Sequence, residues 1–479
     1  MTTEVAPNAP PPRAMHAVPG PRGWPLLGIA PRVKLESFHR QLEDWSREYG
    51  EVFAFRLGRR PFLAVSNPEV IASVLRRRPE VFRRGARLEA TSREIGFLGL
   101  FSSNGDTWRR QRPMVLAGLD PAHIRSYLPA MSEITQTLRR RWLEAAQKGH
   151  EIDVLADLMR YTVDVTTCLA FGHNLNTLEA SSETAIQQHL NVILPALFKR
   201  LLTPFELPRW MRNRSLRHHV VALRAEVQAF IARARAQLDE RPELRERPEN
   251  LIQALIAASQ KGQQGITDED VAGNVLTMLL AGEDTTAHTL AWLFWLLGRH
   301  PQAVAMARAE VDAVLPPDGV ACSVEQLAGL DEVEACASEA MRLKPVAPLL
   351  MNEVGEDTEV AGVLVPKGAI VACLLRRPAL DEGQFPDPQR FDPSRWRTGQ
   401  PGAKSLSSAK RAVMPFGAGP RMCPGRYLAM TEVKMVTAML LANFDLEFVG
   451  VPGRDEPAER MALTMAPVDL KMRLRLRSR

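Results

Sequence analysis

Cysteine is scarce in this chain: five occur in 479 residues, and no two of them form a CxxC pair. This usage argues against a disulfide framework and fits a reducing compartment. We expect at most one cysteine, Cys423, to carry chemistry. The other four are expected to be buried core thiols: Cys168, Cys322, Cys336 and Cys373.

The chain also lacks a long uninterrupted apolar run. Residues 1–21 are rich in Pro and Ala, with no apolar run long enough for a signal peptide or an anchor, so we expect neither. The most apolar internal stretch, 271–298, is interrupted by Glu283, Asp284 and His288, so we expect a buried helix and not a membrane span. A cytoplasmic protein without a membrane anchor is predicted.

Neither sign of charge dominates. The formal net charge is +6, from 61 Lys and Arg against 55 Asp and Glu, and the basic residues are spread along the chain. This distribution gives hardly any support for nucleic-acid binding and weak support for an acidic protein partner. The arginine runs 76–78 and 139–141 are expected to be solvated helix faces.

Apolar material is sufficient for a large core, since 45% of the residues are hydrophobic and 24% are charged. We expect residues 1–22 to be a disordered Pro-rich lead and 23–479 to form a single, mostly helical domain with a small sheet lobe. The predicted elements include a hairpin at 52–65, a helix opened by Asn67-Pro68, a long helix capped by 267–270, a small sheet within 353–371 and a helix at 426–444.

One segment, FGAGPRMCPG at 416–425, directly precedes the last predicted helix. Gly and Pro on both sides of Cys423 let the backbone approach a flat group and turn sharply, which presents the cysteine at a helix N-terminus. The helix dipole and the free amides there favour the thiolate. A lone cysteine is more often a buried thiol. A dinucleotide-binding loop does not fit, because no clean apolar strand precedes the glycines and the third one is misplaced.

The segment resembles the haem-binding signature of the cytochrome P450 family, Phe-x-x-Gly-x-Arg-x-Cys-x-Gly, at every specified position. The resemblance implies the family's triangular, mainly helical prism fold with a small sheet lobe, and haem b (iron protoporphyrin IX) as cofactor. It implies that the Cys423 thiolate is the axial ligand of the haem iron and that Arg421 contacts a haem propionate. The other loop residues expected to bind the cofactor are Phe416, Gly417 and Gly425.

A second motif, AGEDTT at 281–286, lies in the middle of the long apolar helix. A mid-helix Thr can donate to the carbonyl four residues earlier, here Ala281, and with Gly282 beside it the helix can bulge and leave a groove for dioxygen. An isolated Asp-Thr-Thr would be an exposed polar patch. Because apolar runs flank it here, we expect the segment to lie in the core, where burying a carboxylate costs free energy. By resemblance to the family's oxygen-activating motif, Thr285 and Asp284 are the catalytic residues that relay protons.

The resemblance also implies a structural triad. Glu339 and Arg342 are three residues apart on one helix face, a spacing that means little for an isolated pair. In the family the equivalent pair binds an arginine of a later motif, here Arg395. We assign these three residues to folding and haem retention.

Further cofactor contacts are expected from a helix near residue 108. Trp108 and Arg112 share a helical face and should meet a haem propionate, Arg112 most strongly because guanidinium matches carboxylate in bidentate fashion. Many relatives carry another propionate-binding arginine ten residues beyond the position of Arg342, where this chain has Asn352. The partner of the second propionate is therefore left open.

The resemblance implies a monooxygenase that inserts one oxygen atom of O2 into a hydrophobic substrate, by hydroxylation or epoxidation. Electrons should come from a separate ferredoxin or flavodoxin with its reductase, because no flavin or iron-sulfur domain fits after the terminal strands. An acidic face of this donor would meet basic residues near the proximal side: Arg109, Arg110, Lys410, Arg411 and Arg426. A monomer is expected.

The substrate pocket is expected to have a mostly apolar lining, formed by Leu98, Met278, Ala281, Val346, Leu349, Leu463 and Thr464. A fatty acid, terpenoid, steroid or polyketide would suit it, and the pattern of the chain is similar to that of the longer class that includes fatty-acid hydroxylases. Two alternatives remain: a peroxide-dependent or isomerising haem-thiolate enzyme, and a haem-thiolate sensor or carrier. The intact Asp284-Thr285 pair argues against the first, and no signalling domain is visible for the second.

Overall fold

The computed structural model describes residues 11–96, 98–180, 188–189, 192–193, 196, 216–260, 265–397, 411–449 and 455–477. The chain divides into two compact units. The first comprises residues 1–86, 347–388 and 407–422, and the second comprises 87–346, 389–406 and 423–479. A single domain over 23–479 remains a prediction.

Helices dominate the described residues. They are α1 (Phe38–Tyr49), α2 (Pro68–Arg76), α3 (Ala86–Glu94), α4 (Gly105–Gly118), α5 (Pro121–Ser126), α6 (Leu128–Gln147), α7 (Val154–Phe171), α8 (Arg217–Glu240), α9 (Leu251–Gln260), α10 (Asp268–Arg299), α11 (Pro301–Val314), α12 (Val324–Ala328), α13 (Asp331–Leu343), α14 (Arg376–Ala379) and α15 (Arg426–Asn443).

The strands of the described residues are short. They are β1 (Arg13–Ala14), β2 (Val52–Leu57), β3 (Arg60–Val65), β4 (Phe82–Arg83), β5 (Glu151–Asp153), β6 (Leu349–Val354), β7 (Thr358–Val360), β8 (Val363–Val365), β9 (Ile370–Leu374), β10 (Phe444–Val449), β11 (Ala458–Met461), β12 (Met465–Val468) and β13 (Lys471–Leu476).

The first unit is built on a five-stranded sheet in the order β2-β3-β9-β6-β4. β2 and β3 form the predicted antiparallel hairpin, β9 runs parallel to β3, and β6 pairs antiparallel with β9. Leu42 and Trp45 of α1 belong to the same buried cluster as Phe53 and Phe62 of the sheet. The side chain of Asn67 caps α2 by accepting from the backbone amides of the first turn, as its sequence predicts.

A smaller sheet, β1-β8-β7, also belongs to the first unit. β1 runs parallel to β8, with Arg13 opposite Val363. Pro19 lies downstream of β1, and its carbonyl oxygen accepts a hydrogen bond from the amide of Ala54 in β2 at 2.9 Å. Part of the stretch predicted as a disordered lead is therefore paired with strands. Residues 1–10 lie outside the described residues.

The second unit contains the long helix α10, whose side chains are buried on nearly every face. A capping box starts this helix: the Thr267 hydroxyl accepts from the Asp270 amide, and the Asp270 carboxylate accepts from the Thr267 amide. α10 packs against α7, α13 and α15. The same unit contains the sheet β10-β13-β5 and the hairpin of β11 and β12.

Two sequence-based expectations about side chains are wrong. Cys322 is exposed, because it lies in the loop before α12, while Cys336 and Cys373 are buried as expected and Cys168 is half-buried. In the arginine run 76–78, Arg76 is exposed but Arg78 is only 3% exposed, because the chain turns after α2 and carries its side chain inward.

Candidate active site

The glycine-rich loop begins in the first unit. Gly419 has a φ of +70°, the left-handed region that favours glycine. A Cβ at this position would lie 2.4 Å from the carbonyl oxygen of Leu75, so the loop approaches the end of α2 more closely than another residue would allow. The turn Gly419–Arg421 follows, with the Arg421 side chain buried and Phe416 half-buried.

Cys423 lies just before α15 in the second unit and keeps access to solvent. Three groups lower the pKa of its thiol: the backbone amide of Gly425 and the positive charges of Arg112 and Arg426. Desolvation by the surrounding protein has a larger effect, so the pKa of Cys423 is raised. The amide at the helix start thus favours the thiolate, as the sequence predicts, but desolvation outweighs it. A metal ion bound to the sulfur would deprotonate it outright.

Helix α4 belongs to the second unit and carries the two residues that are predicted to contact a haem propionate. Trp108 is buried, and Arg112 is partly buried four residues later, on the same face. Desolvation lowers the pKa of Arg112, while the charge of Cys423 acts in the opposite direction, which places this guanidinium near the sulfur. Arg109 and Arg110 are exposed on the same helix, and Arg109 pairs with Asp106 at 2.6 Å.

The AGEDTT segment lies inside α10, which stays α-helical throughout, so the bulge allowed for at Gly282 does not form. The Thr285 hydroxyl donates to the carbonyl oxygen of Ala281 at 2.7 Å. Gly282 permits close packing of α7, since a Cβ there would lie 2.6 Å from the hydroxyl oxygen of Thr166. Burial raises the pKa of the Asp284 carboxyl.

One face of α10 remains accessible in the middle of an otherwise buried helix. Met278 and Thr285 are partly buried and Ala281 is exposed, and their spacing of three and four residues puts them on one face. Two of its three side chains are apolar.

Most other residues predicted for the pocket also lie in the second unit. Leu98 and Val346 are partly buried, and Leu463 is exposed at the tip of the β11–β12 hairpin. The hairpin is attached to neighbouring chain segments: the amide of Met465 donates to the carbonyl oxygen of Val346 at 2.8 Å, and the Thr464 hydroxyl hydrogen-bonds His288 of α10 at 2.9 Å.

Strand β6 carries two residues of interest in the first unit. Leu349, predicted for the pocket, is partly buried and packs against the aromatic cluster of the sheet. Asn352 is buried, and its amide nitrogen lies 3.7 Å from the sulfur of Cys373.

The structure brings together the three side chains of the expected triad. Two nitrogens of Arg342 each donate to a carboxylate oxygen of Glu339 at 2.8 Å, and both side chains are fully buried. Arg395 lies 3.4 Å from Glu339. Two further donors complete the site: the indole of Trp396 at 2.9 Å and the backbone amide of Asp392 at 3.0 Å.

Three residues were not predicted as members of any site. Trp396 follows Arg395 directly, so its indole could have been suspected as a partner of Glu339. His288 lies three residues after Thr285 on the same helix, and that spacing was the available signal for its proximity. Arg78 carried no such signal, because its burial depends on the turn that follows α2.

Haem b has an iron, a flat ring and two carboxylates, and each unit, taken by itself, offers residues whose chemistry suits part of such a group. Cys423 offers a sulfur ligand with an amide donor beside it. Gly425 has no side chain beside this sulfur, where a Cβ would lie 4.0 Å from it. In the second unit Arg112 is a partly buried cation, and in the first unit Arg421 is a buried one.

Comparisons with known proteins agree with this reading. The sequence model described as cytochrome P450 matches residues 18–473. The chain is 28% identical over 456 residues to the cyclooctat-9-en-7-ol 5-monooxygenase of Streptomyces melanosporofaciens, covering 94% of each. It is 27% identical over 479 residues to a self-sufficient cytochrome P450 monooxygenase of Oidiodendron maius (strain Zn), covering 97% of this chain but 42% of that protein. The crystal structure of the cytochrome P450DA heme domain has a TM-score of 0.84 at 23% identity and covers 97% of this chain and 99% of that one, a likeness in fold.

The fold and the cysteine loop define a haem-thiolate protein. The chain belongs to the cytochrome P450 family, since the family match spans nearly its whole length. It is therefore a monooxygenase with haem b as cofactor, bound through a cysteine thiolate. No helix among the described residues is both long enough and apolar enough to cross a membrane.

Proposed function

We propose that Cys423 is the thiolate ligand of haem b, and that Arg421, Trp108 and Arg112 hold its propionates. The observation that carries this proposal is the environment of the sulfur, which has an amide donor from Gly425, a nearby guanidinium and access from outside. Phe416, Gly417 and Gly425 complete the loop against the ring. The Glu339 triad acts at a distance by holding the chain around α13 and residues 392–396 in place.

When bound, haem b supplies the activation of dioxygen and the transfer of one oxygen atom to the substrate. The chain supplies protons and excludes bulk water. Asp284 is suited to donate protons because burial raises its pKa and keeps a larger fraction of the carboxyl protonated. The Thr285 hydroxyl donates its one proton to the Ala281 carbonyl, so its oxygen can accept a hydrogen bond. It can pass its own proton on only when it turns away from that carbonyl, and it then takes up the proton that it is offered.

The substrate of this monooxygenase is a hydrophobic molecule. The accessible face of α10 at Met278, Ala281 and Thr285 would line its pocket, together with Leu98, Val346, Leu349, Leu463 and Thr464. Such a face binds hydrocarbon surface and leaves the hydroxyl of Thr285 as the polar group that faces the reaction. The bacterial relative named for cyclooctat-9-en-7-ol acts on a compound whose name shows one hydroxyl, and a similarly apolar substrate suits this lining.

Electrons reach this chain from a separate ferredoxin or flavodoxin with an acidic face. The exposed cations Arg109 and Arg110 on α4 and Arg426 at the start of α15 support this proposal, although Asp106 partly neutralises Arg109. Arg411 is also exposed, whereas Lys410 lies outside the described residues. A cytoplasmic location belongs to the same proposal and is supported by five cysteines without a disulfide.

The test of the ligand is spectroscopic. The reduced, carbonyl-bound protein should show the red-shifted Soret band of a thiolate-ligated haem, and Cys423→His should lose this band even where it retains haem. Cys336→Ser is the matched control, because Cys336 is buried on α13 and should leave the band unchanged. Persistence of the band in Cys423→His would refute the assignment.

A further inference from the structure

The tip of the β11–β12 hairpin is a tight turn that is bonded to α10. Within the turn, the amide of Ala462 donates to the carbonyl oxygen of Thr464 at 3.0 Å. The Thr464 hydroxyl forms a hydrogen bond with Nδ1 of His288 at 2.9 Å, and both side chains are buried. Leu463 lies between Ala462 and Thr464, and its side chain is 44% exposed. The turn thus presents a large apolar side chain directly beside the residue that is bonded to the helix.

His288 continues the accessible face of α10. It follows Thr285 by three residues, as Thr285 follows Ala281 by four, and these spacings keep all three on one side of an α-helix. Three residues correspond to a rise of about 4.5 Å along the helix axis. The bond to Thr464 therefore covers this side of the helix less than one turn beyond Thr285. The turn that carries Leu463 lies at this end of the accessible face.

The strands of the hairpin have attachments of their own. The amide of Met465 donates to the carbonyl oxygen of Val346 at 2.8 Å, and the carbonyl oxygen of Met465 accepts from the indole of Trp292 at 3.2 Å. The ammonium group of Lys344 binds the carboxylate of Glu459 at 2.8 Å and lies 4.9 Å from the centre of the Trp292 ring system. Because these contacts do not depend on the bond at the tip, loss of that bond should loosen the turn without detaching the hairpin.

We propose that the His288–Thr464 bond holds Leu463 at this end of the accessible face, where its side chain limits how far an apolar substrate extends beyond Thr285. His288 is then a positioning residue, which acts on specificity through the hairpin and does not touch the reacting atoms. A pocket closed in this way admits a compact apolar molecule and excludes a long unbranched chain. The role of His288 rests on the pocket proposed above, because it sets the length of that pocket.

The experiment uses two 1-alkylimidazoles as probes, because the free ring nitrogen binds the haem iron and the alkyl chain then extends into the pocket. 1-Butylimidazole and 1-decylimidazole differ only in the length of this chain. The ratio of their dissociation constants, measured from the spectral shift of the full-length ferric protein, reports the room beyond Thr285. The unchanged protein should bind the decyl compound no more tightly than the butyl compound.

Two substitutions remove the bond. Thr464→Val removes the hydroxyl with little change of shape, and His288→Leu removes its partner. Each should improve binding of the decyl compound relative to the butyl compound by at least about tenfold, the effect of burying roughly two further methylene groups. Thr464→Ser and His288→Gln are the matched controls, because each can keep the bond and should keep the ratio of the unchanged protein. If His288→Leu does not fold, Thr464→Val provides the same measurement.

Leu463→Ala tests whether Leu463 is the side chain that limits the pocket. It should shift the ratio in the same direction, and adding Thr464→Val should have little further effect, because both changes act through one side chain. Fully additive effects of the two changes would overturn the proposal. An unchanged ratio in Thr464→Val would overturn it as well. So would an equal weakening of both probes, which is the result expected if the bond only stabilises the fold.

The response of the unchanged protein separates a failure of His288 from a failure of the pocket. If the unchanged protein shows the spectral shift with 1-butylimidazole but Thr464→Val keeps the same ratio, the function of His288 alone is refuted. If 1-butylimidazole gives no shift although the carbonyl band of a thiolate-ligated haem is present, the pocket along α10 is refuted.

Discussion

Replacing Thr285 by Ala removes one hydroxyl from the accessible face of α10 and should leave the fold intact. The lost bond to the Ala281 carbonyl, 2.7 Å long, is worth about 0.5–1.5 kcal/mol net. Ala favours a helix interior over Thr by roughly half a kcal/mol. The free energy of unfolding should therefore change by less than about 1 kcal/mol, and substrate-binding spectra should barely change.

The fate of the electrons should change instead. Positioned proton transfer contributes about 10²–10⁴-fold to such reactions, so losing the Thr285 hydroxyl should lower product formed per electron by about tenfold or more. Electron consumption should continue, with oxygen leaving as hydrogen peroxide. Asp284→Asn should slow the whole cycle, because the amide cannot donate the proton that the carboxyl of raised pKa supplies.

The assay compares electrons consumed, product and peroxide, using a hydrophobic substrate found by screening for the spectral shift that accompanies loss of the water ligand. Thr289→Ala is the matched control, since the Thr289 hydroxyl makes the same kind of bond one turn later, to the Thr285 carbonyl at 2.8 Å. Full coupling in Thr285→Ala, or equal uncoupling in Thr289→Ala, would show that the proton path runs elsewhere.

Features encoded within a few consecutive residues could be predicted from the sequence. The capping box at Thr267, the cap at Asn67 and the hairpin at 52–65 depend on contacts between near neighbours, and the structure contains all three. The glycine loop was recognisable for a related reason. Its spacing reflects how closely the backbone must approach α2 and present Cys423, and these are local requirements.

Properties of a side chain that depend on residues far from it in the sequence could not be predicted. The sequence argues for a low pKa at Cys423 from its helix start, but desolvation by the folded chain reverses the net direction. Arg78 looked like part of a solvated run, yet packing beside Ala418, far along the chain, buries it. Glu339 gains the indole of Trp396 only because residues 392–396 fold back onto α13.

Two remaining predictions concern charge. Arg109→Glu combined with Arg110→Glu should slow reduction by an acidic donor and weaken its salt dependence, without altering substrate binding; equal rates across a salt series would exclude this surface. The second prediction is that His288 makes the stability of the fold depend on pH. Burial lowers the pKa of His288 to about 4, and the charge of Arg460 has a smaller effect in the same direction. Between pH 6.5 and pH 4 the ring is therefore neutral in the folded protein but protonated in the unfolded chain, whose His pKa is about 6.5. The contribution of His288 to stability is therefore present above pH 6.5 and lost as the pH falls toward 4. Between pH 7 and pH 5 this loss amounts to about 2 kcal/mol. His288→Gln cannot be protonated and can keep a hydrogen bond to Thr464, so denaturant unfolding of this variant should lose about that much less stability over the same interval. An identical loss in both proteins would mean that another group dominates the acid sensitivity of the fold.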